Sequence, residues 1–421
     1  MVYVLTKENK PLMPTNRHGH VRRLLKSGKA KVVKRCPFTI KLLYDTPEIV
    51  QDLTLGVDTG SSVIGTAVST DDGNIVYTSK VIIRNDIKEK MDRRRAYRRN
   101  RRYRKTRYRK PRFLNRGNSI RSDRFSPTIR SKIHSHIKEI EFVKSILPIT
   151  RLVLETGTFD PHLLKNPSLA NPEIAKWGYQ KGANYGFENT KAMVLNRDEY
   201  KCHICKTKKQ GVRLDVHHII FRSKGGSDDP ENLITLCHNC HTKLHNGEVK
   251  LSLKGKFKGS LNHATQMNSI RTQLLKYYSE AIETFGYITK ANRQSLGIEK
   301  DHHLDACVIA SGGKPITNLI NLVYVKRDIP CGDMQQTKGV RSELKIETGK
   351  IQGFIKFDKV CYFGREYFIK GRMSSGYAVL MDIYSNKADF SHLGKGYKTP
   401  KLCLCKRISA RRSQLVYVEK F

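Results

Sequence analysis

Hydrophobic positions along the chain fall into short blocks whose period switches repeatedly between two and about 3.6 residues. HVRRLLKSGKA (20–30) predicts a helix closed at Gly28, and VVKRCPFTIKLLY (32–44) a strand, together a small α/β unit. LTLGVDTGSSVIGTAVS (53–69) has an apolar run ending at Asp58, a turn at Gly60 and a second run from Ile64 to Val68, which predicts a hairpin. In SPTIRSKIHSHIKEIEFVKSIL (126–147), Ser126 is placed to cap a helix with Pro127 at its first position, and Ile129, Ile133, Ile137, Ile140 and Val143 share one face. RLVLETG (151–157) reads as a buried strand carrying Glu155, and GIEKDHHLDACVIA (297–310) as a helix with His302 and Asp305 on one face. Beyond residue 313 short alternating runs, GFIKFDKVCYF, REYFIKG, GYAVLMDI and QLVYVEK, predict a small antiparallel sheet or barrel. The fold class is therefore α/β, and the length suggests two to four domains.

Charge changes the picture more than composition does. The chain has 79 Lys and Arg against 38 Asp and Glu, a net charge of +41. Residues 93–112, RRRAYRRNRRYRKTRYRKPR, hold 13 Lys or Arg and no acidic residue. A polyanion is needed to balance that density, and nucleic acid is the expected partner. Tyr97, Tyr103 and Tyr108 interleave the arginines and offer stacking faces; Asn100 and Thr106 are compatible with helix, and Pro111 would stop one. No apolar stretch approaches the ~20 residues of a membrane span, and MVYVLTKENK lacks a signal-peptide layout. The expectation is a soluble cytoplasmic protein with no membrane partner.

Cys202 and Cys205 form one CxxC and Cys237 and Cys240 another, the pattern of a tetrahedral structural Zn²⁺ site with 31 residues folded between its halves. Cys36, Cys307, Cys331, Cys361, Cys403 and Cys405 follow no such spacing and are expected to be reduced thiols. Between the knuckles stand His217, His218 and Asn232, and His241 and His245 follow the second knuckle. Neighbouring strand residues point to opposite faces, so His217 and His218 serve different sides of one strand.

This segment resembles the HNH nuclease motif. The resemblance implies a ββα module in which His218 is the general base, His217 and His241 hold a catalytic Mg²⁺, Asn232 fixes the hairpin and His245 is a possible further ligand. Many relatives of the motif have Asp where His217 stands, and imidazole suits transition metals better than Mg²⁺. As an ordered set, Asp58, Glu155, His302 and Asp305 resemble the split active site of a RuvC-like nuclease with an RNase H fold. There the three carboxylates would hold two Mg²⁺ ions and His302 would assist proton transfer.

The order of these parts, with KPLMP at residues 10–14, is similar to the IscB family of transposon-encoded RNA-guided nucleases, compact relatives of the CRISPR type II effectors. That resemblance implies an N-terminal PLMP domain (1–50), RuvC-like segments at 51–88, 121–165 and 251–312, and an arginine-rich bridge helix at 89–120. A linker (166–184), an HNH module (185–250) and a C-terminal β-rich domain (313–421) complete it. Arg94, Arg95, Arg98, Arg99, Arg101, Arg102 and Arg104 would grip a guide RNA. The C-terminal domain would contact RNA and a short motif flanking a double-stranded DNA target. The expected assembly is a monomeric ribonucleoprotein that cuts both DNA strands. The competing reading is an unguided metal-dependent DNA endonuclease of the junction-resolvase or homing type. Trp177, beside Tyr179 and Lys181, is expected to anchor the inserted module, the alternative being a surface on which a nucleic-acid strand stacks.

Overall fold

The computed structural model describes residues 1–105, 125–179, 182, 184–208, 211–221, 226–251, 261–330, 350–394 and 397–420. Expectations for residues 106–120 of the bridge, with Tyr108 and Pro111, and for Lys181 and Cys331 fall outside the described residues, as do the side chains of Arg101, Arg102, Tyr103, Arg104 and Trp177. Two units form: the larger from Met1–Gly157 and Met267–Phe421, the smaller from Thr158–Gln266.

The larger unit begins with β1 (Val2–Leu5), β2 (Pro11–Thr15), α1 (His18–Lys26), β3 (Ala30–Arg35) and β4 (Phe38–Leu42). These strands form a sheet of order β2-β1-β4-β3. The stretch 32–44, expected as one strand, is a hairpin instead. Pro37 has no N–H to continue a ladder, and the chain turns there between β3 and β4. Gly28, at φ +71, closes α1 as its lack of a Cβ permits.

β5 (Leu53–Asp58), β6 (Val63–Thr70) and β7 (Ile75–Ile82) follow as an antiparallel meander, then α2 (Ile87–Lys105), α3 (Pro127–Lys144) and β8 (Arg151–Thr156). In the smaller unit lie α4 (Pro161–Lys165), α5 (Pro172–Gly178), α6 (Thr190–Arg197), β9 (Leu214–His218), β10 (Leu233–Cys237) and α7 (His238–His245). The chain returns through α8 (Asn262–Tyr277), β11 (Ile282–Phe285), α9 (Gly286–Ser295), α10 (His302–Ser311) and β12 (Leu322–Asp328). It ends with β13 (Lys359–Tyr362), β14 (Arg365–Arg372), β15 (Ala378–Met381), β16 (Lys406–Ser409) and β17 (Gln414–Lys420).

The principal sheet has the order β11-β8-β5-β6-β7-β12-β17, so it gathers strands from both ends of the larger unit. QLVYVEK, expected in the small C-terminal sheet, is β17 and pairs antiparallel with β12 at the edge of the principal one. The small sheet is β15-β14-β13-β16. An alternating run shows that one strand face is buried but not against which sheet.

Period-2 alternation gives the principal sheet two different faces. Leu53, Leu55, Val57, Ile64, Val68, Leu152 and Leu154 join Ile133, Ile140 and Val143 of α3 in one core. Ser126 caps α3 by accepting from the Ile129 N–H. The other face is lined by small residues. A Cβ on Gly56 would lie 2.5 Å from the Ala310 nitrogen, and one on Gly65 would lie 1.9 Å from the His302 carbonyl oxygen. Only glycine lets α10 approach that closely.

Within the α3 core sits one buried ion pair. Lys326 donates to both oxygens of Glu139 at 2.8 and 2.9 Å, while Tyr77 and Ser79 donate to Oε1 at 3.1 and 2.7 Å. Both partners are essentially inaccessible, at 2% and 0% side-chain exposure. Lys326→Met is expected to lower stability by about 3–5 kcal/mol, because Glu139 would keep a buried charge without its counterion. Calorimetry of the larger unit's transition checks this; an unchanged transition would show that the pair is not needed.

Candidate functional site

Alternation decides the placement of the carboxylates. Asp58 and Glu155 end neighbouring parallel strands in direct register, and both fall on the glycine-lined face. α10 lies on that face, and His302, in its first turn, approaches Asp58 Oδ2 through Nδ1 at 2.6 Å although 244 residues separate them in sequence. Asp305 is in the same turn, and its Oδ1 forms an ion pair with Arg293, 3.0 Å from Nε, without a hydrogen bond. Gly286, at the start of α9, leaves room for Glu155: a Cβ there would stand 3.1 Å from Oε1. Thr59 Oγ1 fixes the end of β8 by donating to the Glu155 carbonyl at 2.6 Å.

Burial dominates the electrostatics of this site. It pushes the Asp58 carboxyl up despite His302, and it pushes Glu155 up to about 7, with Asp58 and Asp305 adding repulsion. Burial and Asp58 also raise Asp305. The hydrogen bond to Asp58 raises His302. Glu155 Oε2 is buried without a hydrogen-bond partner. Crowded hard oxygens of this kind suit divalent cations such as Mg²⁺. His303 is absent from this arrangement; its Nδ1 lies 3.3 Å from Asp301 Oδ1.

The second constellation is on the smaller unit. β9 and β10 pair antiparallel, with His218 opposite Leu233 and His217 opposite Ile234, and α7 follows directly, the ββα order expected. Asn232 ties the loop to the hairpin: its Oδ1 accepts from the Ile220 N–H at 2.8 Å, and its Nδ2 donates to the carbonyls of Ile220 and Ser227 at 3.0 and 2.8 Å. His218 Nε2 lies 2.7 Å from Asp228 Oδ1.

Among the described residues two sets of metal-ligating side chains bring their ligand atoms within 4.8 Å of one another: Cys202, Cys205, Cys237 and Cys240, and His217, His241 and His245. The carboxylates of the larger unit are not such a set. Cys205 and Cys237 sulfurs are 3.7 Å apart, close to the ~3.8 Å edge of a tetrahedron with Zn–S bonds near 2.3 Å. Burial and the other three thiols push Cys240 up to about 12, so four thiolates require a cation between them. The four-cysteine cluster is a zinc site. Cys36, Cys307, Cys361, Cys403 and Cys405 are free thiols. Burial first, then His241 and His245, lowers His217 to about 4, which keeps its imidazole neutral.

Sequence reasoning missed Asp228, Asp215 and Arg293. Asp215 shares the β9 face of His217, two positions away, and its Oδ2 lies 3.0 Å from His238 Nδ1 and 3.8 Å from His241 Nδ1. That spacing was a usable signal; nothing marked Asp228 within SKGGSDDP or Arg293 within its helix.

The RRXRR protein family matches residues 2–182 and the HNH endonuclease family residues 202–247. These two domains support the reading of the chain as an IscB-like nuclease. This IscB-like chain is 42% identical over 69 residues to anaredoxin of Nostoc sp., covering 16% of itself and 88% of anaredoxin. It is 36% identical over 61 residues to the type IV methyl-directed restriction enzyme EcoKMcrA of Escherichia coli K12, covering 13% of itself and 22% of that enzyme. Two Streptococcus thermophilus Cas9 structures, in complex with the AGAA PAM and the GGAA PAM, align with TM-scores of 0.34 and 0.33 at 12% and 13% identity. The alignments cover 58% and 63% of the IscB-like chain and 32% and 33% of the Cas9 chains.

Two measurements check these sites. Cys202→Ser is expected to release about one zinc per chain and to lower the unfolding temperature of the smaller unit while leaving that of the larger one in place; retention of zinc and stability would refute the assignment. Without divalent cations, the raised Glu155 binds its proton up to about 7 in the folded chain, whereas the unfolded carboxyl has released it above about 4.5. Its stabilising contribution is therefore present below that window and lost as pH rises through it. Glu155→Gln, neutral throughout, should unfold at a higher temperature than the native chain at pH 8 and show no such gain at pH 4.

Proposed function

We propose that the chain is an RNA-guided DNA endonuclease with two nuclease centres, one cutting each strand of a target paired to a bound guide. The observation that carries this reading is the assembly of the principal sheet. The chain returns after the whole HNH unit, and its helix α10 sets His302 and Asp305 over Asp58 and beside Glu155, so one chain holds two separate constellations suited to phosphodiester cleavage. In this reading the principal sheet is a split RNase H-like core built from 51–88, 121–165 and 251–312. Residues 1–50 are the PLMP domain, 89–120 the bridge, 166–184 a linker and 185–250 the HNH module. The C-terminal part, 313–421, meets the RNA scaffold and the target-flanking motif.

α2 supports the RNA-binding role, because Arg94, Arg95, Arg98 and Arg99 are all exposed there beside Tyr97. Guanidinium forks match phosphate geometry and stack on bases. Pairing with the guide would supply sequence specificity and the protein would hold the duplex through its backbone.

At the carboxylate centre Asp58, Glu155 and Asp305 would hold two Mg²⁺ ions, which neutralise charge on the attacking and leaving oxygens. His302, raised by its hydrogen bond to Asp58, would donate a proton to the departing oxygen, and Arg293 would hold Asp305 in place. At the HNH centre an ionised Asp228 accepts from the Nε2–H of His218, which leaves the lone pair on Nδ1. His218 then takes a proton from the attacking water at Nδ1, and Asn232 keeps the loop bearing Asp228 against the hairpin. His217 and His241 would hold the metal of this centre, with His245 as a further ligand.

The purified protein should carry a discrete structured RNA; an RNA-free protein that cuts duplex DNA unaided would favour the unguided endonuclease. With a guided duplex labelled at each strand, His218→Ala is expected to abolish cleavage of the guide-paired strand, and Asp58→Ala that of the displaced strand, each by at least ~10²-fold. Asp305→Ala should copy Asp58→Ala. Loss of the same strand in the His218 and Asp58 variants would rule out two centres.

A further inference from the structure

The HNH resemblance implies Mg²⁺, and the side chains on this unit do not fit it. Among the described residues the donor set is His217, His241 and His245, three imidazoles with no carboxylate among them. Their rings form a tight triangle, with centroids 5.1, 5.2 and 4.7 Å apart. His241 Nε2 and His245 Nε2 face each other at 3.2 Å, close to the ~3.3 Å that separates two imidazole nitrogens sharing a tetrahedral ion at about 2.0–2.1 Å each. The nearby carboxylate, Asp215, stands at the opposite nitrogen of His241, 3.8 Å from Nδ1. That is the position of a group that orients a ligand, not of a ligand. Phe221 closes one side, stacked on His245 at 5.6 Å and edge-on to His217 at 5.4 Å.

Mg²⁺ demands octahedral oxygen and keeps its waters, whereas neutral imidazoles against an aromatic wall favour softer ions of lower coordination number. We propose that the HNH centre takes a first-row transition ion of the Co²⁺, Ni²⁺, Zn²⁺ group on His217, His241 and His245, while the carboxylate centre takes Mg²⁺. The two centres of one chain then load different metals. The inference deepens the two-centre reading and rests on it for its consequence: the metal supplied decides whether one strand or both are cut.

The test begins with binding, which is independent of guided cutting. Titration calorimetry of the full zinc-replete chain with Ni²⁺ is expected to show one site beyond the four-cysteine zinc. That site should weaken at least ~10-fold in His245→Ala, with metal analysis confirming that the variant keeps its structural zinc. Mg²⁺ binding should be the same in both proteins. His217→Asp, which introduces an oxygen donor, should gain Mg²⁺ affinity at the expense of Ni²⁺. In strand-resolved assays Mg²⁺ alone should cut the displaced strand only, and adding Co²⁺ or Ni²⁺ should restore the guide-paired cut. The proposal is overturned if the native chain shows no Ni²⁺ site, or if Mg²⁺ alone supports full cutting of both strands. A His245-dependent Ni²⁺ site without any guided cutting would uphold the metal assignment and refute the guided reading instead.

Discussion

The contact on which the larger unit's site depends is the approach of α10 to the principal sheet. Gly56 on β5 and Gly65 on β6 remove the Cβ atoms that would strike the Ala310 nitrogen and the His302 carbonyl. Ala306 and Ala310 keep the helix side of the contact equally thin, packed against Ala67 and Ile75. A helix bearing larger residues would stand off by the width of a side chain, and His302 could not then reach Asp58 at 2.6 Å. The chemistry of the site is thus set by the absence of side chains beneath it. The thick core needed for stability lies on the opposite face, where α3 packs and where Lys326 and Glu139 are buried.

The two centres solve different electrostatic problems. In the larger unit burial raises three acids of the same sign, and the arrangement is costly unless cations enter among the oxygens. In the smaller unit burial, then the neighbouring imidazoles, lowers His217 to about 4, and burial and His245 lower His241, so the centre offers ring lone pairs instead of negative charge. Hard-oxygen and nitrogen donor sets on one chain answer to different ions. The four-cysteine cluster, whose two pairs flank His217 in sequence, has a third role: Cys237 caps α7 by accepting from the Cys240 N–H at 3.5 Å, and the His203 N–H donates to the Thr235 carbonyl on β10 at 2.9 Å. The knuckle therefore fixes the hairpin and helix that carry His217, His241 and His245.

Much of this was legible in the sequence because it follows from periodicity. Asp58 at the end of an alternating strand, the isoleucine face of α3 and the matched CxxC pairs all express local rules whose result does not depend on distant partners. What escaped depends on tertiary choice. β17 alternates as a strand of either sheet would, and only its seven-residue pairing with β12 decides its place. Pro37 marked a break in the stretch 32–44, but the hairpin on either side of it is made by β4 pairing with both β1 and β3. Asp228 sits in a Gly- and Asp-rich loop where an acid is an ordinary turn residue, and its meaning comes from a histidine ten positions earlier in sequence. Arg293 is one basic residue among 79, and only the fold brings it to Asp305.

The place of the insertion follows from the same geometry. The chain leaves the larger unit just after β8, the strand of Glu155, and its first strand on returning is β11, which pairs parallel with β8 and sets Thr284 beside Glu155. A break there would loosen the carboxylate if its two sides were held by β-pairing alone. They are also held by side chains: Arg271 on the returning α8 donates to both oxygens of Glu283 at 2.6 and 2.8 Å, and Thr156, next to Glu155, donates to the same carboxylate. A bidentate guanidinium pair fixes distance and orientation together. The strand end therefore remains registered to both neighbours, Asp58 on one side and β11 on the other, whatever length of chain is inserted between Gly157 and Met267. An edge so fastened admits a whole nuclease unit without moving the acid beside it.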